Sequence, residues 1–193
     1  MKVACIDFET ANRTSTSACS LGLVILEDCK VIESRSWFIN PHIAYRYFEP
    51  ANIEIHGITP EQVQYAPEFD AVYEELLPLI YDSVLAAHYA LFDMSVLKST
   101  LALYDIACPD LNYVCTRNIA RKIWTLPAYK LNVVSEHLNH EFKHHDALSD
   151  AFACANIFVK AVENKQIFNL DEFMRSINLG FGTLRALAIK KSI

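Results

Sequence analysis

Two acidic side chains, Asp7 and Glu9, end a short apolar run close to the first residue. Residues 3–8 are rich in β-branched and apolar types, which predicts a buried strand. Because residues two apart in a strand point to the same face, the two carboxylates should lie side by side. Like charges so close are costly unless a cation binds them or water solvates them. On its own, the pair fits either a metal site or a solvated strand end.

Two further acidic motifs follow along the chain. Asp93 closes the segment 88–93, in a predicted turn between a strand and a helix, at the sheet edge where open α/β folds place their sites. Asp150 follows His145 by about one and a half helical turns, so a helix could direct Asp150 to the same place. Read alone, Asp93 also fits a first-turn acid that complements the helix dipole, and residues 145–150 fit a polar helix start.

The segments between these motifs predict an α/β fold. The expected strands span residues 3–8, 20–26, 31–39, 83–87 and 113–115. The expected helices begin after Thr59 (with Pro60 first) and after Pro67, and then cover 92–104, 131–162 with an interruption at 139–145, and 170–177. A meander followed by a β-α-β-α succession predicts a mixed five-stranded sheet, antiparallel and then parallel, flanked by helices.

Composition narrows the function classes. The 193 residues fit one domain, and 17 basic against 23 acidic residues give a net charge of −6. That balance argues against a protein that grips duplex nucleic acid through a broad basic face. No signal peptide or membrane span is predicted, and the six cysteines form no CxxC pair. We therefore expect a soluble protein of a reducing compartment, the cytoplasm, with no membrane partner.

The three acidic motifs, taken together and in this order, resemble those of the DEDD-type 3′–5′ exonucleases. The subfamily is the one with a histidine five residues before its last aspartate, and the proofreading subunit of bacterial DNA polymerase III belongs to it. The resemblance covers residues 1–162 and includes the segments 56–59 and 130–132. It implies a ribonuclease H-like fold, an exonuclease domain at 1–164, and an extension at 165–193 to which we assign no role.

The resemblance also implies the chemistry. Asp7, Glu9, Asp93 and Asp150 would be metal ligands, and His145 the general base. An all-carboxylate site suits Mg²⁺ or Mn²⁺, and two such ions act together in this kind of hydrolysis. Asp7 would bridge the two ions, Glu9 and Asp150 would hold one, and Asp93 would hold the other. The expected product is a nucleoside 5′-monophosphate.

The same resemblance suggests substrate contacts. They are Phe8, Thr10, His56, Ile58, His88, Tyr89 and Phe92. Tyr89 departs from the asparagine that is common in relatives, and we expect it to change substrate preference through stacking rather than the chemistry. Asp28 and Cys29 stand where a turn glycine is expected. The expected partner is the single-stranded 3′ end of DNA or RNA, with DNA favoured. A DNA polymerase catalytic subunit is a candidate protein partner.

Two alternatives concern the histidines. Residues 140–144 read His-Glu-Phe-Lys-His, which matches the zinc-protease pattern but needs both histidines on one stable helix. We disfavour it because the helical pattern fades near Asn139 and because Asp7, Glu9 and Asp93 would have no role. A binding module without catalysis is disfavoured because all five chemical positions are filled. Of the adjacent His144 and His145, we expect only one to face the metals, because helical neighbours point about 100° apart.

Overall fold

A computed structural model describes residues 1–185 and shows six strands and eight α-helices in that part of the chain. The strands are β1 (Lys2–Thr10), β2 (Ala18–Glu27), β3 (Lys30–Phe38), β4 (Val84–Ala87), β5 (Leu111–Cys115) and β6 (Gly182–Leu184). The helices are α1 (Pro50–His56), α2 (Pro60–Val63), α3 (Phe69–Ile80), α4 (Leu91–Leu103), α5 (Thr116–Ile123), α6 (Leu131–His137), α7 (Ala147–Lys165) and α8 (Leu170–Ser176). A 3₁₀ turn spans Ile43–Tyr45.

The strands form one mixed sheet in the order β3-β2-β1-β4-β5-β6. β1, β2 and β3 are antiparallel, β4 runs parallel to β1, and β5 runs parallel to β4. The parallel pairing of β1 with β4 ends at Cys5 opposite Ala86, although β1 continues to Thr10. The last half of β1 therefore extends beyond β4, and its edge is free to meet the helix that follows β4.

Alternation along β1 divides the core between the two faces of the sheet. Ala4, Ile6 and Phe8 pack into the cluster that contains the buried stripes of α3 and α4. Val3 and Cys5 point the other way, into the cluster that contains α7. Helices thus cover both faces of the sheet, as a parallel β-α-β arrangement requires.

The predicted fold class is confirmed, including the meander, the parallel strands and the flanking helices. Local signals held where they were strong: Thr59 forms a capping box with Gln62 in front of Pro60. The helical region before Val162 is interrupted as predicted, since α6 ends at His137 and α7 begins at Ala147. None of the helices in residues 1–185 has the length and apolarity needed to cross a membrane.

The strand count is corrected from five to six. β6 pairs antiparallel with β5, in a part of the chain where no strand was predicted. A three-residue strand that follows a glycine carries too little alternation to be recognised in a sequence. α1 and α5 were also missed. The division at residue 164 stays a prediction; Phe173 and Met174 of α8 pack into the α7 cluster, and residues 186–193 of the predicted extension lie outside the described residues.

Candidate active site

The end of β1 presents its two carboxylates on the face that α7 covers. Asp7 and Glu9 continue the alternation of Val3 and Cys5, whose side chains pack against α7. Phe8 points to the opposite face, where its ring packs 6.2 Å from that of Phe69. The alternation of side chains along β1 therefore places the carboxylates on one face of the sheet and the aromatic core residue on the other.

A glycine in β2 lets α7 approach those carboxylates. Gly22 pairs with Asp7 across the β1–β2 ladder, and a Cβ built on it would lie 2.1 Å from the carbonyl oxygen of Ala147. No side chain fits into that space, so the first turn of α7 lies directly on the sheet at this point. Asp150, one turn further along α7, is thereby brought against Asp7.

Asp93 reaches the site from the other side of β1. It lies in the first turn of α4 and is only 1% exposed. Its Oδ1 accepts a hydrogen bond of 3.1 Å from the backbone N–H of Phe8, which lies beyond the last pairing of β1 with β4. This bond fixes the Asp93 carboxylate between the positions of Asp7 and Glu9 along the strand.

These residues surround a cleft of about 350 Å³, which we call the acidic cleft. One carboxylate oxygen from each of Asp7, Glu9 and Asp150 lies within 4.8 Å of the other two. The residues that line the cleft are Asp7, Phe8, Glu9, Thr10, Asn52, Ile55, His56, His88, Phe92, Leu131, His144, His145 and Asp150. The predicted ligands Asp7, Glu9 and Asp150 thus meet in one place. Asp93 approaches them from the first turn of α4, where it is bonded to the backbone of β1.

The carboxylates are strongly perturbed because they are buried next to one another. Burial, reinforced by Asp93 and Asp150, raises the pKa of Asp7 well above its ordinary value. Burial, reinforced by Asp150, raises the pKa of Glu9 to about 8. The pKa values of Asp93 and Asp150 are raised too, again chiefly by burial. Four carboxyl groups this close cannot all ionise at neutral pH without positive charge nearby.

The donor set fits hard divalent cations. Carboxylate oxygens are the ligands that Mg²⁺ and Mn²⁺ prefer, and their charge would offset the repulsion that raises these pKa values. The cleft is also open on one side, as a site that must admit a phosphate requires. Asp7, Glu9 and Asp150 are the residues that would hold such ions, with Asp93 beside them in the first turn of α4.

Both neighbouring histidines lie at the cleft, so the prediction that only one would face it is wrong. Their rings stack with centroids 3.9 Å apart and planes 11° from parallel. His144 Nδ1 lies 3.3 Å from both carboxylate oxygens of Asp150, and His145 Nδ1 lies 3.9 Å from Oε1 of Glu9. The 100° rule failed because both residues precede α7 and because His145 has φ of 66°, which turns its side chain back.

The loop that carries these histidines is fastened to the start of α7. The backbone N–H of His145 donates to Asp150 Oδ2 at 3.0 Å, and Asp146 caps the helix by accepting from the N–H of Ser149. Burial, together with the adjacent His144, lowers the pKa of His145. The neutral imidazole, which is the form that accepts a proton, is therefore favoured near pH 7.

The zinc-protease pattern has no helix to support it. α6 ends at His137, and residues 140–144 form a loop in which the ring of Phe142 lies between those of His140 and His144. His144 is directed to Asp150 rather than to His140. The two histidines therefore do not present the one-face geometry that this type of zinc site needs.

The predicted substrate contacts near α1 separate into two groups. Thr10 and His56 line the cleft, and His56 Nε2 lies 3.2 Å from the carbonyl oxygen of Thr10. Ile58 does not reach the cleft, because it is 7% exposed and packs in a small apolar cluster that includes Phe48. Phe8 borders the cleft mainly through its backbone, since its ring is buried.

The contacts predicted in the β4–α4 turn also separate. His88 and Phe92 line the acidic cleft. His88 is held on both sides, by the Thr116 hydroxyl and the Tyr129 carbonyl oxygen, each at 3.0 Å, and burial lowers its pKa to about 4. Tyr89 has φ of 72° and lines a second groove outside the acidic cleft.

Three residues of the site were missed in the sequence. Asn52 and Ile55 of α1 line the cleft, and Asn52 donates to the carbonyl oxygen of Thr10 at 2.9 Å. The missed helix explains their omission. Gly22 could have been found, because an isolated glycine in an otherwise bulky strand indicates a close backbone approach.

Sequence relatives carry the name of DNA-processing enzymes. The chain is 30% identical to the DNA polymerase III PolC-type of Clostridium perfringens over 185 residues, which is 86% of this chain and 12% of that protein. It is 30% identical to the 3′-5′ exonuclease DinG of Bacillus subtilis over 166 residues, 82% of this chain and 17% of that protein. The chain thus spans less than a fifth of the length of these relatives.

Solved structures share the fold. Exonuclease X in complex with 5′ overhanging duplex DNA has a TM-score of 0.70 at 23% identity, over 91% of this chain and 98% of that one. The nuclease domain of 3'hExo, a DEDDh family member bound to rAMP, has a TM-score of 0.74 at 18% identity, over 84% and 92%. The model of the Exonuclease (RNase_T) family matches residues 4–158, and the chain therefore belongs to this family of exonucleases.

Proposed function

We propose that the protein removes nucleotides one at a time from the 3′ end of a single-stranded nucleic acid, with DNA as the main substrate. The observation that carries this proposal is the convergence of Asp7, Glu9 and Asp150 within 4.8 Å in an open cleft. The family match and the names of the relatives support the direction of attack and the choice of DNA.

Two divalent ions, Mg²⁺ or Mn²⁺, would neutralise the phosphate and stabilise the attacking and leaving oxygens of the displacement. The role of the protein is to hold four carboxylates in place with little freedom. Asp93 is fixed by a hydrogen bond from the Phe8 N–H. Asp150 is fixed by a hydrogen bond from the His145 N–H and by the close packing of α7 against Gly22. Asp7, central between them, is proposed as the ligand common to both ions.

His145 is proposed as the general base. It stands at the mouth of the cleft with its side chain 41% exposed, so solvent can exchange with its ring. It would take the proton from the attacking water, whose oxygen adds to phosphorus while the bond to O3′ breaks. O3′ takes up a proton from solvent, and His145 later returns its proton to solvent. The products are a new 3′-hydroxyl on the shortened strand and a free nucleoside 5′-monophosphate. His144 stacks on the ring of His145 and would keep it directed to the cleft.

The cellular setting is proposed from coarser support. The six cysteines are free, which suits a reducing compartment such as the cytoplasm. One of the relatives is named for a DNA polymerase, so a DNA polymerase catalytic subunit is a protein partner worth testing. We also propose residues 1–164 as the catalytic domain and 165–193 as its extension.

The test uses 5′-labelled single-stranded DNA, duplex DNA and RNA, each incubated with Mg²⁺ or Mn²⁺. A ladder that shortens stepwise from the 3′ end, fastest on single-stranded DNA and abolished by EDTA, is the expected result. Internal cuts, or loss of nucleotides from the 5′ end, would refute the proposal. Stoichiometric zinc in the purified protein, together with peptide hydrolysis, would favour the protease alternative instead.

A further inference from the structure

A second groove lies next to the acidic cleft and has the opposite electrostatic character. It encloses about 400 Å³, and its lining includes Tyr89, Tyr113, Arg117, Arg121, Met174 and Gly182. None of the described residues that line it is acidic. We call it the basic groove. Residues of α5 and β6 form two of its walls. The pairing of β6 with β5 is therefore needed to complete the groove.

The segment that forms this groove is basic in an acidic protein. Residues 111–135 contain four basic side chains, Arg117, Arg121, Lys122 and Lys130, and no aspartate or glutamate. The whole chain carries a net charge of −6. Such an uneven distribution places positive potential over one patch, which attracts a polyanion despite the overall charge.

The two groove arginines are held by aromatic rings rather than by acids. The guanidinium of Arg117 lies 5.0 Å from the ring centroid of Tyr89, and that of Arg121 lies 5.6 Å from the ring centroid of Tyr129. No carboxylate in residues 1–185 forms an ion pair with either guanidinium. Several basic residues elsewhere differ in this respect, since Lys2, Arg13 and Arg46 each pair with an acid. Stacking orients the guanidinium groups and leaves their N–H donors for a phosphate.

The basic groove is connected to the acidic cleft through the β4–α4 turn. His88, which lines the cleft, lies 3.0 Å from the carbonyl oxygen of Tyr129, whose ring contacts Arg121. Tyr89, the next residue, lines the groove and contacts Arg117. The groove and the cleft thus adjoin at residues 88–92, so that one strand can occupy both. None of the described residues that line the cleft is a lysine or an arginine.

From these observations we infer that the basic groove binds the phosphate backbone of single-stranded nucleic acid, upstream of the bond that is cut. Arg117 and Arg121 are four residues apart on α5 and so lie on one helix face, where they can contact phosphates of the same strand. The ring of Tyr89, 51% exposed, adds a stacking surface for a base. This inference rests on the proposed exonuclease function for the polarity of the strand, but not for the binding itself.

The experiment measures binding and cleavage separately. Binding is followed by the fluorescence anisotropy of a labelled oligothymidylate of about 16 nucleotides, the upper end of common single-strand site sizes. It is done in EDTA, where the cleft has no ions and adds no attraction, so that the groove alone is measured. The parent is compared with Arg117→Glu/Arg121→Glu and with the milder Arg117→Gln/Arg121→Gln, whose folding is checked by melting temperature.

The control is Lys165→Glu, which reverses one positive charge in the last turn of α7, where the glutamate pair reverses two. Lys165 is exposed and lies about 22 Å along the helix from Asp150, by the rise of 1.5 Å per residue. We expect the glutamate pair to weaken binding at least about tenfold and Lys165→Glu to change it little. Two lost phosphate contacts should also reduce the slope of log affinity against log salt by about 1.4.

Cleavage is then compared on the long oligonucleotide and on a dinucleotide. The ratio of their kcat/KM values should fall about tenfold in the glutamate pair, because only the long strand reaches the groove. Equal binding and an unchanged ratio in both double variants would overturn the inference while leaving the exonuclease proposal standing. A parent that binds the strand through these arginines but cleaves neither substrate would instead refute the proposed function.

Discussion

The acidic cleft and the basic groove lie on opposite sides of one turn, residues 88–92. His88 and Phe92 face the cleft, whereas Tyr89 and Leu91 face the groove. The cleft is built from buried carboxylates whose positions are fixed by backbone hydrogen bonds. The groove is built from partly exposed cations that only aromatic rings hold. Chemistry needs fixed ligands, whereas a strand that moves by one nucleotide per cycle needs contacts that can form and break.

The difference also explains why the net charge misleads. A value of −6 argues against a broad basic face, yet four of the 17 basic residues fall in one acid-free segment, residues 111–135. The acidic residues that dominate the total include the four carboxylates of the cleft, which bound cations would neutralise. Charge distribution, rather than charge total, therefore distinguishes the two surfaces.

Asp7→Asn should impair hydrolysis in the acidic cleft and leave strand binding by the basic groove unchanged. Removing the central carboxylate should lower the hydrolysis rate by at least about 10³-fold, equivalent to several kcal/mol of lost stabilisation. Strand binding in EDTA should be kept, because the groove is untouched. The matched control is Asp70→Asn at the exposed start of α3, which should cost less than about 1 kcal/mol of stability and no activity. An active Asp7→Asn enzyme would refute the assignment of the cleft.

His145→Ala should lower the rate by about 10²–10⁴-fold, the usual cost of losing a general base. It should also remove the fall in rate on the acidic side of the pH profile, which reports protonation of the imidazole. His144→Ala should cost less, because His144 supports the ring of His145 by stacking but takes no proton. If His144→Ala were the more damaging change and erased the acidic limb, the two roles would have to be exchanged.

Gly22→Ala should act on the cleft through packing alone. The new methyl group would collide with the Ala147 carbonyl, so α7 must shift and carry Asp150 with it. We expect a loss of stability of about 1–3 kcal/mol, typical of overpacking, and a clear loss of kcat. Gly180→Ala is the control, since nothing lies within 4 Å of its would-be Cβ. Strand binding in EDTA should survive in Gly22→Ala. Equal hydrolysis rates for Gly22→Ala and Gly180→Ala would show that the close approach of α7 to the sheet is unimportant.

The smallest expected effect is a pH dependence of the metal-free protein. Folded-state pKa values of the cleft carboxyls are raised, Glu9 to about 8, so their protonated forms favour the folded state and that contribution is lost as the pH rises. His88 contributes in the opposite direction. Its pKa is lowered to about 4 in the folded state, so its contribution to stability increases as the pH rises to about 6.5 and is constant above that.

Between about pH 6.5 and pH 8, the His88 contribution is constant and only the carboxyl contribution changes. In EDTA the melting temperature should fall across this window, and Mg²⁺ or Mn²⁺ should remove the fall. Glu9→Gln should reduce the slope, whereas Arg117→Gln/Arg121→Gln should leave it as in the parent. A metal-free protein whose melting temperature rises or stays level across the window would contradict the carboxylate account.

The sequence predicted the parts of the site that depend on local periodicity. Asp7 and Glu9 followed from the period of two in a strand, and the family resemblance added Asp93, His145 and Asp150. The position of Asp93 was not predictable. It depends on β1 extending past β4, which leaves the Phe8 N–H without a partner in β4 and available to Asp93. Interactions between distant elements of this kind have no signature in one segment.

Two turns account for most of the other surprises. His145 and Tyr89 both have positive φ, which is uncommon for residues other than glycine and cannot be recognised from their types. At His145 this backbone brings two histidine rings together at the cleft. At Tyr89 it accompanies a side chain that lines the basic groove instead of the cleft. The groove was missed for a further reason, since α5 and β6 were not predicted and together they form its walls.

The most direct test of the account is calorimetric titration of the metal-free protein with Mn²⁺ near pH 7, repeated in buffers of different ionisation enthalpy. We expect two ions to bind per chain and protons to be released, because carboxyl groups with raised pKa values must lose protons to become ligands. Asp7→Asn should lose this binding, and Arg117→Glu/Arg121→Glu should keep it. Binding without proton release, or equal binding by Asp7→Asn, would contradict the claim that the acidic cleft is the metal site.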